Sequence, residues 1–236
     1  MNAALAIFVK TPGLSPIKTR LAAHTNSNFA QEFYLHALDI THQVASAACK
    51  ARPAIMPYWA VAEQDGTEHF LWRDFPRLIQ GDGTLGERLS FVYNELKKYH
   101  DVVILIGADC PLLAASHIIR AFDLLTPRPN QDLFVMGPAQ DGGFYLFSGV
   151  KDIPKIDWTS VQYSQCDTKN QLSKRLSSFG RVIELEPLSD VDTLDDLISL
   201  PHTNVAKKNL LDAQVALLEW ISKIEKDLIK IKKAET

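Results

Sequence analysis

The chain has little cysteine and no close pair of it. Cys49, Cys110 and Cys166 are odd in number and far apart, and no CxxC occurs. This excludes a disulfide framework and a zinc knuckle, and it points to a reducing, cytoplasmic setting. Long hydrophobic runs are missing as well: no apolar stretch approaches the ~18 residues of a membrane span, so no membrane partner is expected. The short apolar start MNAALAIFVK has no basic region ahead of it, which a secretory signal would need, and reads as a first strand. Charge of one sign is scarce too. The net charge is −3 over 236 residues with acids and bases interleaved, unlike the basic surface of a general nucleic-acid binder. Seven histidines form no HExxH, and His36 and His42, six apart on a predicted helix, do not share a face. With no GxSxG either, zinc and serine-triad hydrolases find no support. GxxxxGK[ST] and GxGxxG are also absent, which removes the P-loop and the dinucleotide fingerprint.

What is present is alternation. Short apolar runs at Ala4–Val9, Ile55–Val61, Val102–Ala108, Asp132–Met136, Phe144–Phe147 and Val182–Leu185 are predicted strands. Amphipathic stretches at Phe29–Cys49, Gly86–Tyr99, Ser116–Leu125, Asp167–Ser178 and about Val205–Lys233 are predicted helices. Strand–helix–strand order predicts an α/β domain: one Rossmann-like, mostly parallel sheet flanked by helices, with a long C-terminal helix. A run as apolar as VVILIGA suits a strand buried on both faces. The last helix carries Leu211, Val215, Leu218, Ile221, Ile224, Leu228 and Ile231 as one stripe on an otherwise charged surface. Two readings fit it: packing on its own domain, or a homodimer contact. The division expected is residues 1–202 as the main domain and 203–236 as a helical extension.

Open parallel sheets bind ligands beyond the carboxyl ends of their strands, so the segments after the strands matter most. The first is KTPGLSPIKTRLA, where Pro and Gly hold a loop carrying Lys10, Lys18 and Arg20. Such cations suit a phosphate chain, lysine as a point charge and arginine as a fork; a solvated surface loop is the plainer alternative. The central strand ends in GADCP. Asp109 there is a candidate ligand for Mg²⁺ or Mn²⁺, since magnesium takes one or two carboxylates and fills its shell with phosphates and water, or else a cap on the following turn. Cys110 beside it has no basic neighbour in the sequence to activate it and reads as packing. In GPAQDGGFYLF, Asp141-Gly142-Gly143 is either a hairpin turn or a close backbone approach to a ligand, with Asp141 placed to hold a hydroxyl. In LSDVDTLDDL, an extended backbone would point Asp190 and Asp192 the same way, toward a metal shared with Asp109. The same segment also fits a helix cap at Thr193 followed by Asp195 and Asp196. QGDGTLGERL places Gly86 and Arg88 at a helix start whose free N–H groups suit a base or an anion, or forms a simple glycine turn.

Taken in order, FVKTPGLSPIKTRLA, QGDGTLGERL, LIGADCPLL, DGGFYLF, DWTSVQ and DVDTLDDL resemble the bacterial DUF2064 family of the nucleotide-diphospho-sugar transferase superfamily, the GT-A fold, over roughly residues 4 to 200. More distantly they are similar to guanylyl- and cytidylyltransferases of that fold, whose first loop carries a Lys-x-Arg like Lys18-Thr19-Arg20. The resemblance implies that Lys10, Thr11, Gly13, Lys18, Arg20, Gly86 and Arg88 bind a nucleotide. It implies a substrate role for Asp141, Gly142, Gly143 and Trp158. It puts Asp109 at the superfamily's metal position, often written DxD. Position 111 is Pro, so Asp190 or Asp192 must complete the shell.

The function expected is a divalent-metal-dependent transferase in which Lys18, Arg20, Asp109 and Asp141 are the catalytic set. Its substrates are a nucleotide sugar or an NTP together with a small-molecule acceptor. Sugar transfer would release a nucleoside diphosphate; nucleotidyl transfer would release pyrophosphate. A third reading is a non-catalytic nucleotide-binding or scaffolding protein that works through its C-terminal helix.

Overall fold

The computed structural model describes residues 1–126, 132–203 and 210–234. Its seven strands are β1 (Ala3–Val9), β2 (Ile55–Val61), β3 (Arg77–Ile79), β4 (Val102–Gly107), β5 (Leu133–Pro138), β6 (Phe144–Gly149) and β7 (Arg181–Glu184). They form one sheet in the order β3-β2-β1-β4-β6-β5-β7. Every neighbouring pair is parallel except β4–β6 and β5–β6, because β6 runs the opposite way. A mostly parallel sheet is therefore what forms. β3 has no counterpart in the sequence reading: three residues at a sheet edge are too few to show a period.

The helices are α1 (Thr19–His24), α2 (Ser27–Ala51), α3 (Leu85–Lys97), α4 (Ala115–Leu125), α5 (Lys155–Thr159), α6 (Thr168–Leu176), α7 (Leu194–Ser199) and α8 (Asp212–Ala234). The five long predicted helices are there, with ends shifted by a few residues, and the short α1, α5 and α7 are additional. The predicted start of the last helix, near Val205, lies outside the described residues.

Alternation along the strands divides the core in two. Ala3, Leu5, Ile7 and Val9 of β1 face one cluster with α2, α4, α7 and α8. Ala4 and Ala6 face a second cluster with α3 and with Trp158 of α5. Both sides of the central strands are covered, which is why VVILIGA can be apolar at nearly every position.

The C-terminal helix packs on its own chain. Leu217, Ile221 and Leu228 enter the first core cluster. Trp220 stacks on Phe29 of α2 with ring centroids 5.3 Å apart, and Glu225 meets His202 at 2.7 Å.

Candidate functional site

All the parallel strands end at one rim, and β6, running the other way, begins there. Five segments therefore meet: 10–18 after β1, 80–84 after β3, 108–114 after β4, 139–143 between β5 and β6, and 185–193 after β7.

Main-chain hydrogen bonds bring the acids together. Leu188 N–H donates to the Pro138 carbonyl, and Gln140 N–H donates to that of Leu188, which ties the segment to the end of β5. Val191 N–H then donates to the Asp109 carbonyl at 3.1 Å. Asp190 and Asp192 flank that bond, so they arrive beside Asp109 although about eighty residues separate them in sequence. Thr193 caps α7 through a reciprocal box with Asp196, and this stops the extended stretch just after Asp192. Metal placement and helix capping are thus compatible within the one segment.

Lys18 lies at the centre. Its side chain is 7% exposed, and its ammonium sits 2.7 Å from Asp192 Oδ1 and 3.4 Å from Asp109 Oδ2. Its backbone is left-handed, φ 44° and ψ 50°, at the N-cap of α1. Such a conformation is uncommon for a residue with a Cβ. Burial pulls the Lys18 ammonium down, but Asp109, Asp192 and Asp190 outweigh it and hold the group above its ordinary value. Asp192 responds in the opposite sense. Burial would raise it, yet Lys18, then Arg20 and Lys10, keep it below the usual carboxylate range. Arg20 is exposed, with Nη1 3.9 Å from Asp192, and Lys10 reaches back to the Pro16 carbonyl at 3.3 Å.

Asp190 is the unbalanced member. Its Oδ1 is buried and has no hydrogen-bond partner. Burial, then the charge of Asp109, pushes its carboxyl up to about 8, with Asp141 and Asp192 adding to the effect. Cys110 lies against this acid, and burial raises its thiol well above the ordinary value, so it is an inert packing residue.

Among the described residues no three acids, histidines or cysteines converge closely enough to make a ready-built metal cage. The donor chemistry nevertheless fits a hard divalent cation. An orphaned, buried carboxylate oxygen stands beside a second carboxylate, and magnesium needs only one or two such groups when phosphate oxygens supply the others. Asp190 and Asp109 are the more available pair, because Lys18 holds Asp192 at 2.7 Å and Asp109 more loosely at 3.4 Å.

The remaining sites sort themselves by exposure. Asp141 is exposed, and its Oδ1 accepts the Gly143 N–H at 2.8 Å, which folds the β5–β6 connection into a hairpin turn. Gly142 has φ +93°, and a Cβ there would collide with the Cys166 carbonyl, so the turn requires glycine. Gly13 is exposed at the tip of the first loop. Arg88 donates to the Gly83 carbonyl at 3.1 Å and to Gln80 Oε1 at 3.4 Å. Gln80 in turn bonds the carbonyls of Val9 and Ala60, so Arg88 braces the 80–84 turn against the sheet.

Three expectations need correction. Trp158 is fully buried in the second core cluster, against Tyr93 and Phe147, and offers no substrate surface. Thr11 is also fully buried, which removes it from a nucleotide: its N–H goes to Glu63 and its hydroxyl accepts from the Trp72 indole. Gly86 is buried where α3 crosses α5, and a Cβ there would come within 2.7 Å of the Trp158 carbonyl. Glycine is required there for close packing.

Reading the sequence missed Tyr34, Glu63 and Gln214. The Tyr34 hydroxyl accepts from Lys10 N–H at 3.0 Å and donates to the Lys10 carbonyl at 2.8 Å, which clamps the base of the cationic loop. Each makes contacts across a long sequence separation, which no local motif reveals.

Comparison with known proteins places this arrangement in context. A family model described as "uncharacterized protein conserved in bacteria" (DUF2064) matches residues 41–165, a shorter span than the motifs suggest. Among curated proteins none matches significantly. A crystal structure from Desulfovibrio desulfuricans G20, described as a candidate nucleotide-diphospho-sugar transferase, is similar at 22% identity with a TM-score of 0.80, over 97% of this chain and 99% of that one. A cytidylyltransferase from Leptospira borgpetersenii serovar Hardjo-bovis is similar at 12% identity and TM-score 0.54, over 97% of both chains. A 4-diphosphocytidyl-2C-methyl-D-erythritol synthase from Anaerococcus prevotii is similar at 10% identity and TM-score 0.54, over 83% of this chain and 92% of that one. At these identities the likeness establishes the shared nucleotide-diphospho-sugar transferase fold.

Proposed function

The chain belongs to the DUF2064 family, and on that premise we propose that it is a divalent-metal-dependent transferase that uses an activated nucleotide, most directly a glycosyltransferase acting on a nucleotide-diphospho-sugar. The observation that carries this reading is the rim cluster. One buried ammonium is held between two carboxylates, and a third carboxyl keeps an oxygen without a partner.

Each residue has a distinct task. Asp109 and Asp190 would hold a Mg²⁺ or Mn²⁺ ion. When bound, that ion supplies charge neutralisation to the diphosphate as it leaves. Lys18, buried among the same carboxylates, would add its own positive field, while exposed Arg20 would present a two-pronged donor to the diphosphate oxygens. Lys10 extends that field along the loop. Asp141, fixed in its turn by the Gly143 bond, accepts from a sugar or acceptor hydroxyl. Gly142 and Gly143 let the main chain come close to that substrate. Arg88 and the glycine turn before it stand where a base would lie.

Nucleotidyl transfer remains the second reading. Three cations at one loop suit a triphosphate, and the cytidylyltransferase likeness spans nearly the whole chain. The products separate the two: a nucleoside diphosphate for sugar transfer, pyrophosphate for nucleotidyl transfer.

Thermal unfolding with a panel of nucleotides and nucleotide sugars, with and without Mg²⁺ or Mn²⁺, tests the site. A ligand at ~100 times its dissociation constant adds about 2.7 kcal/mol. For a domain of this size that is roughly 5–11 °C. The expected outcome is a metal-dependent shift for one nucleotide, lost in Asp109→Asn. A panel without any shift would remove the transferase reading.

A further inference from the structure

We propose that the C-terminal helix is a working part of the site, and that Gln214 is the positioning residue through which it fixes the Asp109 segment. The inference rests on the reading of Asp109 as a cation ligand.

Gln214 is 1% exposed, and its amide oxygen and amide nitrogen are both hydrogen-bonded. Its Oε1 accepts the Leu211 N–H at 2.9 Å, which closes the first turn of α8 from within. Its Nε2 donates to the Pro111 carbonyl at 2.7 Å and to the Leu113 carbonyl at 3.0 Å. The amide orientation is thereby fixed, since reversing it would set an oxygen against two carbonyls.

The segment it holds needs outside help. Residues 108–114 join β4 to α4 without regular structure, and Pro111, Leu112 and Leu113 are buried. Their backbone groups are removed from water, and a buried carbonyl without a donor is costly. Leu113 N–H turns back to the Cys110 carbonyl, and the Asp109 carbonyl is taken by Val191. Of the carbonyls that those bonds do not reach, Gln214 supplies a donor to Pro111 and to Leu113. Asp109 is therefore gripped from two directions, by the acidic segment on one side and by α8 on the other.

The other contacts of α8 described above go elsewhere: Trp220 to α2, Glu225 to the turn after α7, and Leu228 to the apolar core. Gln214 can thus be separated from docking in general. The experiment compares full-length wild type, Gln214→Leu and Leu228→Ala by thermal unfolding, amide hydrogen exchange and Mn²⁺ titration calorimetry, well below either variant's melting temperature. In Gln214→Leu, the amides of Leu113 and Val191 are expected to exchange at least tenfold faster, and the Mn²⁺ dissociation constant to rise at least fivefold. Leu228→Ala is expected to lower the melting temperature without moving either quantity. If the two variants alter exchange and affinity in proportion to their stability loss, or if Gln214→Leu alters neither, Gln214 is a helix cap alone and the proposal fails. A wild type that binds no Mn²⁺ overturns the metal reading instead, while the exchange comparison still judges the grip on the loop.

Discussion

Replacing Lys18 with methionine is expected to lower the melting temperature of the metal-free protein by roughly 6–12 °C, and millimolar Mg²⁺ or Mn²⁺ is expected to restore much of that loss. Methionine keeps the length of the stem and removes only the charge. What remains is Asp109 and Asp192 with no buried cation between them, beside a protonated Asp190 and with only exposed Arg20 at the edge. Removing one partner of a buried ion pair costs about 3–5 kcal/mol. Asp109 and Asp192 are 44% and 41% exposed, so solvent screens part of the repulsion and the lower end, about 3 kcal/mol, applies. At ~2–4 °C per kcal/mol that gives the stated range. A divalent cation supplies the missing charge to the same oxygens, so the variant should gain more from metal than the wild type does. Unfolding curves in chelator and in metal decide it. Equal stability of the two proteins in chelator would show that Lys18 is not the counter-ion of this cluster.

Asp190→Asn should act in the opposite direction, and its effect should depend on pH. The folded protein keeps a proton on Asp190 up to about pH 8, because burial and Asp109 oppose its ionisation. The unfolded chain gives that proton up near the ordinary carboxylate value of about 4. Between those limits the folded state binds the extra proton, so stability falls as pH rises, and the penalty is complete above about 8. Asparagine has no such penalty. In chelator at pH 8.5 the variant should melt roughly 6–12 °C above wild type, corresponding to about 3 kcal/mol after allowance for solvent entering the cluster. At pH 3.5 the two should coincide. With Mn²⁺ added, the advantage should disappear, because wild type alone has the second carboxylate for the ion. A difference that stays constant across pH would mean that Asp190 does not titrate in the folded protein.

The sheet was readable because its central strands are buried on both faces, and burial writes itself into sequence as runs such as VVILIGA. The same runs located Asp109 at the rim, since so apolar a strand ends where the chain leaves the sheet. Local chemistry also announced the Thr193 cap and the Asp-Gly-Gly turn. The parts that escaped act over distance. Nothing near Gln214 reveals that its amide meets Pro111, and nothing near Thr11 reveals that Glu63 and Trp72 absorb both of its polar groups. Trp158 and Gly86 stood in conspicuous motifs, but each serves packing where α3, α5 and β6 meet. A conspicuous motif marks a constrained position without saying whether a ligand or a neighbouring helix imposes the constraint.

The bond from Val191 to the Asp109 carbonyl also has a temporal consequence. Chains emerge from the ribosome N-terminus first, and domains generally fold as they emerge. A nascent polypeptide that has reached Gly149 already contains six of the seven strands, with β1 central among them. It holds Lys18 and Asp109, yet the acids that complete their surroundings have not been synthesised, and Gln214 follows later still. The polar rim is therefore the last part of the domain to be completed in synthesis: an unfinished chain carries most of the strands but lacks the acids that surround Lys18 and Asp109.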